Sequence, residues 1–328
     1  MSVKTIVAQR PGKLSEVLTQ REITRSQPLG EGQIDVRMTA STVNPSDAVT
    51  VSGAYASRTE FPFVPGFEGV GVIERVGPGV PANAIGERVL PIGSAGNWQE
   101  IKRTAHSWCV PVPDDIPDTL ACFAYINPLT ALLMVQRCCT GDTRHVAVTA
   151  ATSTIAGHLA ELLVEQGIRP VGLTRGVSGR RATRPEKWVD VLSTSQPTWP
   201  QRLRQRSSTG DFDVIFDSVG GDQARSLMRL LRPGGVLVHF GLLSGRPIPA
   251  ECFDRSEGRR VEMFRLRDIV HACPRAQLPA LFEPVLGHLR NGLLHTRIAQ
   301  EVGLGALPTV LRRDKDLGRG KLLITYDR

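Results

Sequence analysis

At 328 residues, with 41% apolar and 22% charged side chains, the chain has the length of two domains and the balance of a soluble globular protein. No apolar run approaches the length that spans a bilayer, which argues against a membrane role. The formal net charge of +8 favours anionic partners, but the charge is scattered and aromatics make up only 5%, so nucleic acid is not expected and anionic cofactors or acyl carriers remain.

Met1 to Val7 enters a strand-like pattern at once, so no secretory signal is expected. Six cysteines, of which Cys138 and Cys139 are adjacent, show neither C-x-x-C nor a framework spacing, and a cytoplasmic location is the expectation. Residues 1 to about 117 read as mostly β. Gln33 to Thr39 alternates Ile34, Val36 and Met38 against polar neighbours, and Val70 to Ile73 and Arg88 to Leu90 are similar. Turns such as Gly77-Pro78-Gly79 separate them, which predicts a small barrel or sandwich. Pro111, Pro113 and Pro117 mark a linker, and helical and βαβ patterning begins near Leu120.

The stretch from His145 to Arg175 predicts a strand, a tight turn, a helix and a second strand. His145 to Ala150 suits a buried parallel strand, and Ala151 to Gly157 turns the chain. Ile155, Leu159, Leu162 and Leu163 form one apolar helical stripe, with Gly167 placed just past the helix end. Ile168 to Thr174 is the next strand. Such a unit offers backbone amides and a helix N-terminus to a pyrophosphate. The G-x-G-x-x-G fingerprint is poor, because counting back from Gly157 puts Thr152 and Thr154 in the first two glycine places. A parallel α/β domain with no nucleotide fits this stretch equally. The end of the second strand adds a second signal. Arg175 is followed by Arg180, Arg181 and Arg184, with no acid from Val171 through Pro185. A planar guanidinium suits a 2′-phosphate, where Asp or Glu would bind the free ribose hydroxyls; the alternative is a solvated basic loop.

Two further strands are expected at Phe212 to Asp217, ending at Gly220-Gly221, and at Val236 to Phe240, introduced by Pro233-Gly234-Gly235. The tail after Leu266 reads as helical until a final strand at Lys321 to Tyr326. There is no internal repeat.

Asn44-Pro45-Ser46-Asp47, Gly53-Ala54-Tyr55, Pro65-Gly66-Phe67-Glu68-Gly69, Gly96-Asn97-Trp98, Asn127-Pro128-Leu129-Thr130-Ala131, Asp217-Ser218-Val219-Gly220-Gly221 and Pro233-Gly234-Gly235 occur in this order. In order and spacing the set resembles the medium-chain dehydrogenase/reductase superfamily, and within it the zinc-free 2-enoyl thioester reductases of the mitochondrial type. The resemblance covers nearly the whole chain. It implies an α/β fold, with a Rossmann doubly wound parallel sheet beside a GroES-like β-barrel catalytic domain. The implied division is 1–118 for the first part of the catalytic domain, 119–267 for the NADPH-binding domain and 268–328 for the return to the catalytic domain.

Zinc members of the superfamily carry Cys near Asn44 and His where Phe67 stands, so a zinc-free site with no metal is expected. The resemblance implies that Tyr55 is the proton donor beside the nicotinamide, while a loop tyrosine packed in place is the alternative; Asn44 and Asp47 are expected to fix that loop. It places Asn127, Ser153, Thr154, Ile155, Ala156, Phe240, Gly241, Leu242, Leu243, Phe264, Arg265, Leu266 and Lys321 along NADPH, with Arg175 on the 2′-phosphate. Ile155 and Leu242 stand where the family has glycine, and Arg265 replaces a tryptophan of the thioester reductases. Val261 to Arg267 resembles an edge strand that pairs across a two-fold axis, so a homodimer is implied. Three activities remain open: an NADPH-dependent enoyl thioester reductase acting on CoA or a carrier protein, a zinc-free quinone or enone reductase, and a non-catalytic relative with a decayed nucleotide site.

Overall fold

The computed structural model describes residues 2–24, 26–55, 57, 59–176, 182, 184–313 and 320–327. These form two compact units: Met1–Ile126 with Val270–Gly292 and Thr296–Arg328, and Asn127–Ile269 with Leu293–His295. Among the described residues no helix is long and apolar enough to cross a membrane.

In chain order the first unit opens with strands β1 (Ser2–Ala8), β2 (Leu18–Thr24), β3 (Gln33–Thr42), β4 (Gly69–Val76), β5 (Arg88–Pro91), β6 (Ile101–Ala105) and β7 (Cys109–Pro111). The second unit supplies β8 (Val146–Val148), β9 (Val171–Thr174), β10 (Asp190–Ser193), β11 (Phe212–Asp217), β12 (Leu231–His239) and β13 (Arg260–Met263). The chain then returns to the first unit with β14 (Ile298–Gly303) and β15 (Lys321–Thr325).

The first unit is built on a seven-stranded sheet ordered β14-β15-β3-β4-β5-β7, with β6 also on β3. The alternation predicted for β3 is real: Ile34, Val36 and Met38 are buried and cluster with Ile73 and Val89. β3 runs three residues past the expected end because β15 pairs with Ala40 to Thr42. The tail after Leu266 is not uniformly helical. Helices Leu266–Ala272, Leu278–Arg290 and Leu307–Arg313 are interrupted by β14, which pairs in parallel with β15. Ile298 and Val302 are the large apolar residues of β14, an i, i+4 pair that periodicity reads as helix; the strand is made by its partner.

The second unit is a six-stranded sheet ordered β10-β9-β8-β11-β12-β13, every neighbouring pair parallel. Numbered within the unit this is 3-2-1-4-5-6, the doubly wound order in which the direction of winding reverses between β8 and β11. On one face Ala147, Leu173, Ile215 and Leu237 pack with Trp199 and Leu203 of helix Trp199–Arg204 and with Leu227 and Met228 of helix Gln223–Met228. The crossover helix Thr154–Glu165 buries Leu159, Leu162 and Leu163, and Gly167 follows it at φ +78°, a left-handed position that glycine adopts without a Cβ penalty. β10 escapes the sequence patterns because Asp190-Val191-Leu192-Ser193 offers two apolar residues and no alternation.

Candidate functional site

The βαβ crossover of the second unit carries one group of candidate residues. After β8 the chain passes Ala150 at φ +50°, a strained turn for a residue with a Cβ. Ser153 N donates to Ala150 O at 2.8 Å, and Ser153 caps the helix, its Oγ accepting from Ala156 N at 3.3 Å. Amides of the first helical turn lack intrahelical acceptors, so those of Thr154 and Ile155 are left to face an anion.

The cap also sets the register of the fingerprint. Counted from the N-cap, the three glycine places fall on Ala151, Ser153 and Ala156, one residue ahead of the count from Gly157. Ala151 and Ala156 are fully buried, and a Cβ on Gly172 of β9 would lie 2.7 Å from Ala151 Cβ, so this corner accepts only small residues. Ile155 therefore occupies a variable place at the half-buried mouth of the helix, not a glycine place. Small side chains meet the steric demand of a close pyrophosphate without glycine.

Arg175 directly follows β9, is exposed and has no ion-pair partner among the described residues. Arg180 and Arg181 lie outside the described residues. Arg184 turns elsewhere, its Nε 3.3 Å from Glu161 Oε1 on the crossover helix. Burial pushes the Glu161 carboxyl up to about 7, opposed by the His295 amide and Arg184.

The loops after β12 and β13 lie at the same carboxyl ends. Phe240 N donates to Asp217 O at 3.0 Å, and a Cβ on Gly241 would sit 2.9 Å from Ser218 O, so the chain passes here only as glycine. Leu242 and Leu243 are about half exposed. Phe264 is buried, its N donating to His239 O at 2.8 Å; Arg265 is exposed, 3.6 Å from Asp268, and Leu266 is half-buried. Ser153, Thr154, Ile155, Ala156, Arg175, Phe240 to Leu243 and Phe264 to Leu266 thus share the sheet edge where doubly wound folds take ligands. Asn127 stands half-buried at the start of helix Ile126–Cys138.

Tyr55 and Lys321 belong to the first unit. Tyr55 lies in the turn after helix Pro45–Val51, is 48% exposed, and no described side chain engages its hydroxyl. Behind that helix is a buried polar cluster. Asp47 Oδ2 accepts from Asn44 N at 2.7 Å, and Oδ1 accepts from Gly66 N at 3.2 Å and Phe67 N at 3.1 Å, so these bonds hold the helix start and the Gly66–Phe67 turn and not the loop of Tyr55. Glu68 Oε1 accepts from Tyr125 N at 2.9 Å and Ile126 N at 2.7 Å, and Oε2 from Asn44 Nδ2 at 2.8 Å. Lys321 Nζ donates to Val43 O at 3.2 Å and to Asn44 Oδ1. Its ammonium, placed along NADPH by resemblance, is turned into this cluster. Burial pushes Asp47 up to about 7 and Glu68 upward, with Lys321 pulling both down; burial in turn lowers Lys321. Phe67 stands beside these carboxylates, and among the described residues no three or more His, Cys, Asp or Glu side chains are grouped to hold a metal ion.

Residues 30–114 match the alcohol dehydrogenase GroES-like domain. The chain is 30% identical over 226 residues to the mitochondrial enoyl-[acyl-carrier-protein] reductase of Arabidopsis thaliana, a match covering 66% of this chain and 60% of that protein. A candidate NADPH:quinone reductase from Bacillus thuringiensis superposes with a TM-score of 0.90 at 28% identity, over 99% of both chains. The chain belongs to the medium-chain dehydrogenase/reductase superfamily. Another solved member of this fold, an Escherichia coli quinone oxidoreductase complexed with NADPH, superposes with a TM-score of 0.86 at 20% identity, over 98% of this chain and 99% of that one. The medium-chain dehydrogenase/reductase superfamily uses nicotinamide cofactors.

In this medium-chain dehydrogenase/reductase, sequence reasoning missed the weight of Glu68 and the inward turn of Lys321. The Pro65-Gly66-Phe67-Glu68 run was visible, but its cation lies some 250 positions away and only the return of β15 brings it close.

Proposed function

We propose that the chain is an NADPH-dependent oxidoreductase that reduces the C2=C3 double bond of an enoyl thioester, on CoA or an acyl carrier protein. The second unit is the cofactor domain and the first the catalytic domain. The observation that carries the reading is the crossover edge: small residues at all three fingerprint places, uncommitted helix amides, and Arg175, with no ion-pair partner among the described residues, where an NAD site carries an acid. The fit is to a dinucleotide with a 2′-phosphate, held by Ser153 to Ala156 and Arg175, with Phe240 to Leu243 and Phe264 to Leu266 along its nicotinamide half. When bound, NADPH supplies the hydride that goes to the β-carbon. The α-carbon of the resulting enolate takes its proton from the Tyr55 hydroxyl, which leaves a phenolate to be reprotonated from water. The thioester assignment draws on the Arabidopsis relative, and the exposed Tyr55 hydroxyl supports it.

The second reading, a quinone or enone reductase of the same fold, is favoured by the B. thuringiensis structure and by Arg265 where the thioester reductases have tryptophan. NADPH oxidation against a panel of crotonyl-CoA, longer enoyl thioesters and quinones decides between them. Turnover of quinones alone defeats the thioester reading. A wild-type protein that binds no NADPH in calorimetry defeats both and leaves a non-catalytic relative.

Arg175→Ala is expected to weaken NADPH about ten- to a hundred-fold, the value of one hydrogen-bonded charge, and to leave NADH nearly unchanged. Equal losses for the two cofactors in titration would make Arg175 structural. We further propose a homodimer through β13, whose outer edge pairs with no described strand and presents Met263 at 57% exposure. Light scattering at micromolar protein should give twice the chain mass, and a monomer mass refutes the pairing. The reading assigns no metal, so elemental analysis of the purified protein should find none in stoichiometric amount.

A further inference from the structure

Asp217 ends β11 at the point where the winding of the sheet reverses, and it is fully buried. Its carboxylate accepts four hydrogen bonds: Oδ1 from Thr149 Oγ1 at 2.9 Å and Val219 N at 3.0 Å, Oδ2 from Gly220 N at 2.9 Å and His239 Nδ1 at 3.0 Å. Thr149 Oγ1 in turn accepts from Ser218 N at 2.9 Å. One carboxylate thus ties together the ends of β8, β11 and β12. The loop it holds carries the next one. Ser218 O accepts from Leu243 N and Val219 O from Ser244 N, both at 3.0 Å, and Gly241 passes directly over Ser218.

His239 is the one side chain in this knot that reaches Asp217 from the strand leading into Phe240 and Gly241. Its ring is nine-tenths or more buried, and a Cβ on Gly220 would lie 3.1 Å from its Cε1, so the ring also fills the space beneath the Gly220 turn. With two donors on each oxygen, Asp217 is used here only as an acceptor. Facing a group that only accepts, the His239 ring carries a proton on Nδ1. We propose that His239 is a positioning residue: by donating Nδ1–H to Asp217 it locks the Ser218–Gly221 loop against the Phe240–Ser244 loop and so sets the seat of the nicotinamide ring. The inference rests on the reductase reading above. Its reach follows from the tolerance of hydride transfer, in which a displacement of about 1 Å lowers the rate about a hundred-fold.

The test compares wild type with His239→Ala and His239→Asn, because the Asn amide reproduces an N–H near the Nδ1 position. On the best acceptor, His239→Ala should lower kcat about ten- to a hundred-fold and raise the NADPH dissociation constant, read by fluorescence titration, about ten-fold. His239→Asn should restore both to within about three-fold, since it recovers the hydrogen bond to the carboxylate. Wild-type values in the Ala variant overturn the inference, as does an Asn variant as poor as Ala, which would show that the bond to Asp217 is not what matters. If His239→Ala does not fold, Thr149→Val and Thr149→Ser carry the test on the same carboxylate: loss with Val and recovery with Ser support the knot, and equal behaviour overturns it. A wild-type protein that binds NADPH but turns over no acceptor defeats the reductase reading instead, and the dissociation constants alone then judge the knot.

Discussion

Tyr55→Phe is expected to lower enoyl thioester reduction by about 10² to 10⁴, the range a positioned general acid contributes. At 1.36 kcal/mol per factor of ten this is about 2.7–5.5 kcal/mol of transition-state stabilisation. The substitution keeps the ring and removes only the acidic proton, and the 48% exposure of Tyr55 means that little packing depends on the hydroxyl. NADPH affinity should stay within about three-fold, and kcat should carry the loss, as for an interaction made only in the transition state. Quinone reduction, which leaves no carbanion to protonate, should be nearly unaffected in the same variant. Steady-state kinetics on crotonyl-CoA and a quinone check both halves. An unchanged thioester rate would return Tyr55 to the status of a loop tyrosine.

The largest effect on stability is expected at Lys321. Lys321→Met removes the buried ammonium that donates to Val43 O and Asn44 Oδ1 and offsets the charge of Asp47 and Glu68, and leaving buried carboxylates without their cation destabilises by about 3–5 kcal/mol. The sign with pH follows from the carboxyls. Asp47 has a folded value of about 7, above the ordinary value of 3.8, so the folded state binds more protons than the unfolded one between these limits and loses stability as pH rises through them. Without the cation the folded values of Asp47 and Glu68 rise further, and the loss extends to higher pH. Denaturant unfolding should show the deficit of the variant to be larger at pH 8 than at pH 5.5. A deficit under 1 kcal/mol, or one that grows on acidification, would mean that the amides alone balance the carboxylates.

What the sequence revealed and what it hid divide along the range of the interactions. The crossover was legible, because Ile155, Leu159, Leu162, Leu163 and Gly167 act within a few turns of one helix. Its fingerprint was read one residue late. Gly157 looked like the third glycine, but the cap made by Ser153 Oγ to Ala156 N fixes the register, and a cap is a fact of geometry. Ile155, read from the resemblance as standing in a glycine place, falls outside it after that shift. β10 and β14 were hidden because each has two large apolar residues and depends on a partner strand for its conformation. The Asn44, Asp47, Glu68 and Lys321 cluster was named piecemeal, and no spacing rule joins residues so far apart in the chain.

The place of β15 decides when the first unit can be finished. Although β15 is the last strand in the described chain, it is inserted between β14 and β3, and its side chains Leu322 and Ile324 share a core with Ile6 and Ala8 of β1. A ribosome releases the second unit's parallel sheet whole, since Asn127–Ile269 is nearly continuous. The early strands must wait, holding open one long-range pairing until β15 has been made. Lys321 arrives on that same strand, so the carboxylates of Asp47 and Glu68 acquire their counter-charge only when β15 docks. A chain stopped before β15 would present the exposed edge of β3 with two buried acids uncompensated beneath it, a state disposed to aggregate and open to proteolysis. Synthesis of β15 and closure of the main sheet of the proposed catalytic domain are therefore one event.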